Sequence, residues 1–386
     1  MIGGIGRVTS VLTEHFRDQF GWKVYSIYAA EAQNDCVRTE VDGTICLRLH
    51  DRLGMRPNVW RNYSKAVDFI KSKEIDIVIV QTSVDVVAKL RKSLDNKGLR
   101  CVKLVFCLHY SPGADIHKVA RQKSLQGITG VMKHLFAPLY DVLIEKSTVR
   151  HYQKAYQAAD RTLVLSRTYV DEYVKFAGLK SSDRISVMYN PLSFDEKECV
   201  ADIDSKTNTL LIVGRLDEAF KRISMAIDIW ARVEKDFPDW QFDIVGDGPS
   251  FSQYEKQIKE NNLQRCHLLG RQNPLEYYKR SSIFLMTSCS EGFPMTIVES
   301  QQFGCAPIVF DSFSALHDIV TDGVNGVIVT NNDGVMFGQR LRELMDDSSE
   351  RRRISQNAVD GCARFSAKDI CDAWYRLLTK ICNDGR

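Results

Sequence analysis

Short apolar runs alternate with helix-period stretches along nearly the whole chain, and this alternation constrains the fold more than any single motif. The runs Ile75–Val80, Arg100–Leu108, Thr209–Val213, Gln241–Val245, Ile283–Thr287 and Ala306–Phe310 are short and continuously apolar or nearly so. Strands of that kind are buried on both faces, as in a parallel sheet covered by helices on each side. A chain of 386 residues exceeds one ordinary core, so two α/β domains are expected. With 44% hydrophobic and 26% charged residues the chain has the makings of packed cores rather than of disorder. A net charge of +3 does not by itself point to nucleic acid. The 11 cysteines form no C-x-x-C pair, and Cys101, Cys107 and Cys305 lie in apolar runs, which fits reduced, buried thiols better than a disulfide framework or a zinc site. No stretch approaches the ~18 uninterrupted apolar residues of a membrane span. The opening residues MIGGIGRV hold no apolar h-region, so no signal peptide is expected and the cytoplasm is the expected location.

Taken in order, Met1–Gly6 reads as a glycine loop and Arg7–Phe20 as an amphipathic helix. Trp22–Ala29 and Thr44–Leu49 read as strands, Val59–Ser72 and Val84–Asn96 as helices. His109 follows the strand Arg100–Leu108, and catalytic groups in such sheets gather at the carboxyl ends of strands. A lone His is more often structural; its position raises its standing. From Ile116 to Ala158 a long helical stretch carries Lys118, Arg121, Lys123, Lys133, Lys146, Arg150 and Lys154, interleaved with Leu, Phe and Tyr. It reads either as a helical cover with a solvated basic face or as a platform for an anionic acceptor or membrane surface. After Asn190-Pro191 a polar stretch from Asp195 to Asn208 reads as a linker. The expected division is a first domain over 1–192, a second over 208–365, and a terminal helical segment over 366–386. Asp202-Ile203-Asp204 has the D-x-D spacing of some metal sites, but it lies in the linker with no strand before it, so no metal is expected.

The stretch Ser290–Glu299 reads as a glycine turn opening a helix, with Pro294 at the first helical position. The free N–H groups of such a terminus favour anions, phosphates above all. Glu291 in the turn and Glu299 about a turn into the helix are acceptors that suit a ligand with hydroxyls at both ends and phosphates between, as in a sugar nucleotide. The plainer reading is a helix with a favourable N-terminal acid and an exposed Glu.

An ordered set of motifs over nearly the whole chain resembles the retaining glycosyltransferases of family 4, of bacterial polysaccharide type. The set is Gly3-Gly4-Ile5-Gly6-Arg7, His109, Asn190-Pro191, Val213-Gly214-Arg215-Leu216 with Lys221, Val245-Gly246-Asp247-Gly248-Pro249, Gly270, Ser288–Glu299 and Asp322-Gly323-Val324-Asn325-Gly326. The resemblance implies a GT-B fold, two Rossmann-like doubly wound domains facing across a cleft, with the terminal helix crossing back to the first domain. It implies transfer from a nucleotide diphosphate sugar, UDP-linked in the favoured case, to a glycan or lipid-linked acceptor, with no metal or other cofactor. Arg215 and Lys221 would bind the diphosphate, and fixed cations answer the charge on a departing phosphate. Glu291 would contact the donor sugar, Glu299 the ribose, and the amides around Gly292, Phe293, Pro294, Met295 and Thr296 the phosphates. Gly4 and Gly6 would let the N-terminal loop approach phosphate and acceptor, and His109 would lie near the reacting centre. Asn190 and Gly214 would line the donor site, with the Gly270-Arg271 peptide near the base.

Two features depart from the family pattern. The spacing from Gly214 to Lys221 is one residue longer than the commonest form, which makes Arg222 the alternative cation. The strand that normally precedes the glycine loop is lacking, so a central strand of the first sheet is expected to be missing and the chain to be truncated or misassigned at its start. A sugar-nucleotide epimerase and a non-catalytic sugar-nucleotide module are the competing readings. The basic 116–158 platform weighs against the first. Arg215, Lys221, Glu291 and Glu299 together weigh against the second. A dinucleotide oxidoreductase is disfavoured because Gly3-Gly4-Ile5-Gly6 lacks G-x-G-x-x-G spacing.

Overall fold

The computed structural model describes residues 4–31, 38–41, 44–51, 59–81, 84–113, 137–194 and 201–384. These residues divide into two compact units. Unit 1 holds Met1–Leu165, Tyr169–Met188 and Cys371–Arg386, and unit 2 holds Ser166–Thr168 and Tyr189–Ile370.

Unit 1 opens on α1 (Gly4–Asp18), whose Val8, Leu12 and Phe16 repeat every four residues and are buried on one face. Gly4 and Gly6 therefore sit in the first helical turn rather than in a loop; Met1–Gly3 lie outside the described residues. Strands β1 (Tyr25–Glu31), β2 (Arg38–Val41) and β3 (Thr44–Asp51) form one sheet in the order β1-β3-β2. After α2 (Val59–Ser72) come β4 (Ile77–Val80), α3 (Val84–Asn96), β5 (Lys103–Leu108), α4 (Ala137–Ala158), β6 (Arg161–Val164), α5 (Thr168–Ala177) and β7 (Ile185–Val187). Strands β4 to β7 form a second, all-parallel sheet in sequence order. Among the described residues β1 and β4 are each hydrogen-bonded on one side only. Burial follows from that: in β5, Leu104 to Leu108 are buried, whereas Ile77, Val78 and Ile79 of β4 are only half-buried.

Unit 2 is a single six-stranded parallel sheet in the order β10-β9-β8-β11-β12-β13. Its elements are β8 (Thr207–Val213), α6 (Glu218–Lys221), α7 (Ile223–Ala231), β9 (Gln241–Val245), α8 (Phe251–Glu260), β10 (Cys266–Leu268), α9 (Leu275–Arg280), β11 (Ser281–Met286), α10 (Met295–Gln302), β12 (Ala306–Asp311), β13 (Val327–Thr330), α11 (Gly334–Asp346) and α12 (Ser348–Cys362). The central strands explain the unbroken apolar runs of the sequence. Leu210, Leu211, Ile283, Phe284 and Ile308 lie on both faces of the sheet and are fully buried. The terminal helix α13 (Ala367–Asn383) groups from Cys371 onward with unit 1, where Trp374 and Tyr375 meet Phe16 and Phe20; the Phe20 and Tyr375 rings stack with centroids 4.3 Å apart.

Candidate active site

Three loops at the carboxyl ends of β8, β9 and β10 are laced together through the backbone. Gly214 N–H donates to Val245 O at 3.0 Å, Leu216 N–H to Asp247 O at 3.0 Å, and Gly246 N–H to Gly270 O at 2.8 Å. The approach is so close that a Cβ on Gly246 would fall 1.8 Å from Gly214 O, and one on Gly248 2.3 Å from Leu216 O. Gly246 also has φ +152°, which L side chains rarely adopt. The glycines of the Val245–Pro249 motif are thus required by packing, and they fix where the Arg215 loop emerges.

That loop leads into α6. Glu218 is held at its start by three groups: its N–H donates to Ser250 Oγ at 3.0 Å, and its carboxylate accepts from Tyr254 OH at 2.8 Å and from Ser224. Arg215 projects into solvent with 73% of its side chain exposed, its nearest acid being Asp217 at 4.0 Å. Lys221 turns the other way, and its Nζ meets Glu291 Oε1 at 2.5 Å. The two sequence-predicted groups are therefore one ion pair, with side chains 24% and 15% exposed.

Arg222, the alternative cation, is engaged by the protein itself. It is the left-handed residue between α6 and α7, at φ 47°, and its guanidinium is spent on the protein. Nε donates to Thr287 O at 2.8 Å, and Nη2 to Ser288 O and Asn331 Oδ1 at 2.9 Å each. Nη1 donates to Asn332, and the guanidinium lies over the Phe310 ring. Burial lowers its pKa from the usual value. Two further bonds tie the same segments: Thr287 Oγ1 donates to Lys221 O at 2.9 Å, and Cys289 N–H to Phe220 O at 2.8 Å. Residues 287–289 run directly into Glu291, so the turn that carries Lys221 and the segment that carries Glu291 are fastened to each other.

Past Glu291, Phe293 is buried against Tyr189 and Phe365, with centroid distances of 5.9 and 5.5 Å. That anchor fixes the turn before α10. Pro294 is the residue before the helix, with ψ 88°, one position earlier than the sequence suggested; its carbonyl accepts from Ile297 N–H at 3.0 Å. The helix opens on Met295 and Thr296, whose N–H groups belong to the set that intrahelical bonding leaves free. Glu299 is the fifth residue of α10 and is fully buried rather than exposed, with Oε2 accepting from Tyr278 OH at 2.9 Å. Tyr278 is stacked parallel on Phe303, with centroids 6.0 Å apart. Asn190 is buried in unit 2, Gly270 takes φ +68°, and Arg271 is exposed. Asp202 caps a turn by accepting from Ser205 N–H, Asp204 pairs with Arg352, and no group of metal-ligating side chains occurs among the described residues.

In unit 1, His109 follows β5 directly, and its Nε2 lies 3.1 Å from Gln81 Oε1. Desolvation lowers its pKa from 6.5 to about 4, so the ring is neutral at physiological pH. Of the basic 116–158 stretch, 116–136 lie outside the described residues. On α4, Val142, Lys146, Arg150 and Lys154 recur every four residues and are exposed, with Leu143 58% exposed beside them.

Largely parallel sheets in Rossmann-like units, glycine-laced strand ends and a cation–carboxylate pair ahead of a helix N-terminus fit the GT-B fold. The chain belongs to glycosyltransferase family 4. The family described as Glycosyltransferase Family 4 matches residues 2–196, and Glycosyl transferases group 1 matches 193–360. The chain is 23% identical over 287 residues to the poly(glycerol-phosphate) alpha-glucosyltransferase of Bacillus subtilis, covering 72% of this chain and 39% of that protein. It is 25% identical over 219 residues to a Campylobacter jejuni alpha-1,4-N-acetyl-D-galactosaminyltransferase that acts on an undecaprenol-linked glycan, covering 56% and 58%. The matches thus span about two fifths and three fifths of the length of these curated relatives. In fold it is similar to Anabaena HepE, solved in complex with UDP, with a TM-score of 0.73, 16% identity and coverage of 98% and 96%.

Proposed function

We propose that the protein is a glycosyltransferase of bacterial surface polysaccharide synthesis. It moves a sugar, with retention of anomeric configuration, from a nucleotide diphosphate sugar to a glycan or lipid-linked acceptor. The observation that carries this reading is the pairing of Lys221 with Glu291 at the strand ends of unit 2, beside the N-terminus of α10. A cation for phosphate and an acceptor for sugar hydroxyls stand within one side chain's reach. A UDP-linked donor is the favoured choice, supported by the likeness to HepE, which was solved with UDP.

Breaking the bond from the anomeric carbon to the β-phosphate oxygen leaves the electron pair on the diphosphate. Arg215 and Lys221 answer that charge together with the first amides of α10, so no divalent ion is required. The acceptor oxygen bonds to the anomeric carbon on the face the diphosphate leaves and passes its proton to the departing phosphate oxygen, and no side chain serves as nucleophile. Glu291 orients the sugar, and Glu299, fixed by Tyr278, is the proposed ribose acceptor. His109, neutral at physiological pH, is the proposed hydrogen-bonding group at the carboxyl end of β5 in unit 1. The exposed stripe Val142-Lys146-Arg150-Lys154 on α4 would bring the protein to an anionic membrane surface carrying a lipid-linked acceptor. No helix of the described residues is long and apolar enough to cross a membrane.

Slow donor hydrolysis, measured over UDP-, GDP- and ADP-sugars with and without EDTA, tests the proposal. The expected result is turnover of one donor class, insensitivity to EDTA, and a loss of about 100-fold or more in Arg215→Ala and Lys221→Ala. Full turnover in both variants overturns the assigned roles.

A further inference from the structure

Resting on the donor reading above, we propose that Glu291, by holding Lys221, makes the diphosphate site discriminate between a diphosphate that carries a sugar and one that does not. Lys221 Nζ lies 2.5 Å from Glu291 Oε1, and both side chains are mostly buried, so solvent screens the pair weakly. The segments that carry the two partners are tied together. The Lys221 carbonyl is bonded to Thr287 Oγ1, the Phe220 carbonyl to Cys289 N–H, and the Arg222 guanidinium to the carbonyls of Thr287 and Ser288.

A phosphate oxygen that takes Lys221 therefore competes with Glu291 for the same ammonium. The carboxylate then shares its cation with a new anion, which weakens the pair in a site largely shielded from water. An intact sugar nucleotide offsets this, because its sugar hydroxyls donate to Glu291. A bare nucleoside diphosphate has no donor to offer there. A ligand shifts such an equilibrium only by its differential interaction with the two arrangements, so the pair penalises the sugar-less ligand selectively. After transfer the same pair re-forms and favours release of the nucleoside diphosphate.

Titration calorimetry with inorganic pyrophosphate and with UDP, on the full chain without divalent ions, tests this. Glu291→Gln keeps the side-chain volume and removes the charge; it is expected to bind both probes about three- to tenfold more tightly than wild type. In a Lys221→Met background the same change is expected to give a clearly smaller gain, because only the repulsion between carboxylate and anion is relieved and no cation is there to be freed. Weaker or unchanged binding in Glu291→Gln overturns the proposal. So does an equal gain in the Lys221→Met background, since that reports only removal of a repelling charge. If Glu291→Gln does not fold, Glu291→Asp decides: its shorter carboxylate reaches Lys221 poorly, and binding of both probes must still tighten. Failure of the donor reading looks different: wild type would then bind none of the UDP-, GDP- or ADP-sugars.

Discussion

The two units solve the same problem, placing polar groups at the carboxyl ends of parallel strands, in different ways. In unit 2 the sheet is continuous over six strands, the strand-end loops are hydrogen-bonded backbone to backbone, and the key polar groups are an ion pair. In unit 1 the strands fall into two sheets, β4 is half-buried, and the polar group at the end of β5 is a neutral imidazole facing an amide. Hydrogen bonds through the backbone fasten the segments that carry Lys221 and Glu291 to each other. The His109 corner depends on side chains alone: Gln81, which His109 faces, is in turn approached by Thr9 Oγ1 at 3.4 Å. The comparison suggests that unit 2 is built for pre-organised electrostatics, whereas unit 1 holds an uncharged contact whose state depends on desolvation.

The hardest test of that contrast is Gly246→Ala. The new Cβ would sit 1.8 Å from Gly214 O at a φ of +152°, so the lacing between the β8 and β9 loops must break. Chemical denaturation is expected to show a loss of about 3–5 kcal/mol, with donor turnover lost in whatever fraction still folds. A variant with wild-type stability would mean that the loops are not locked, and the distinction between the units would fall.

Next in size is Arg222. Replacement by Leu removes a donor from the carbonyls of Thr287 and Ser288, of which Ser288 keeps Ser312 Oγ, and removes the bonds to Asn331 and Asn332, with an expected cost of about 2–3 kcal/mol. Arg222→Gly loses the same bonds but accommodates φ 47°, so it should cost about 1 kcal/mol less. Both variants should lower kcat for donor hydrolysis, because Lys221 and Glu291 lose their common fastening. Unchanged kcat in the folded fraction would make Arg222 a purely structural residue.

These two residues also mark where the sequence was informative and where it stopped. Continuous apolar runs located the central strands of unit 2 to within a residue or two, since burial on both faces leaves no polar alternation to misread. The glycines of Val245–Pro249 were legible as a motif, and the structure supplies the reason, the close approach of Gly214 and Leu216. The sequence favours Lys221 with Arg222 as the alternative, and what it could not show is the helix break that turns these neighbouring basic residues apart. The start of α10 was misplaced by one because Pro294 takes a ψ of 88° that its fixed φ does not dictate. The burial of Glu299 was also hidden, since its partner Tyr278 is 21 positions away and reaches it only across packed aromatic rings. The glycines at the N-terminus suggested a loop, yet Gly4 and Gly6 are helical, held by the buried face of Val8, Leu12 and Phe16 that follows them.

The smallest expected effect concerns unit 1 and has a definite sign. The His109 pKa falls from 6.5 to about 4 through desolvation, so below pH 6.5 the unfolded chain takes up a proton that the folded chain refuses. The stabilisation is therefore fully present above pH 6.5 and is lost as the pH falls toward 4. Between pH 7 and 5 the wild type should lose about 1–2 kcal/mol relative to His109→Gln, measured as the difference between their urea midpoints at each pH. Parallel pH profiles for the two proteins would show that the imidazole is solvated and readily protonated. The neutral corner would then be no different in kind from the charged one in unit 2. A profile that diverges only below pH 6.5 would place the difference between the units in desolvation at this single ring.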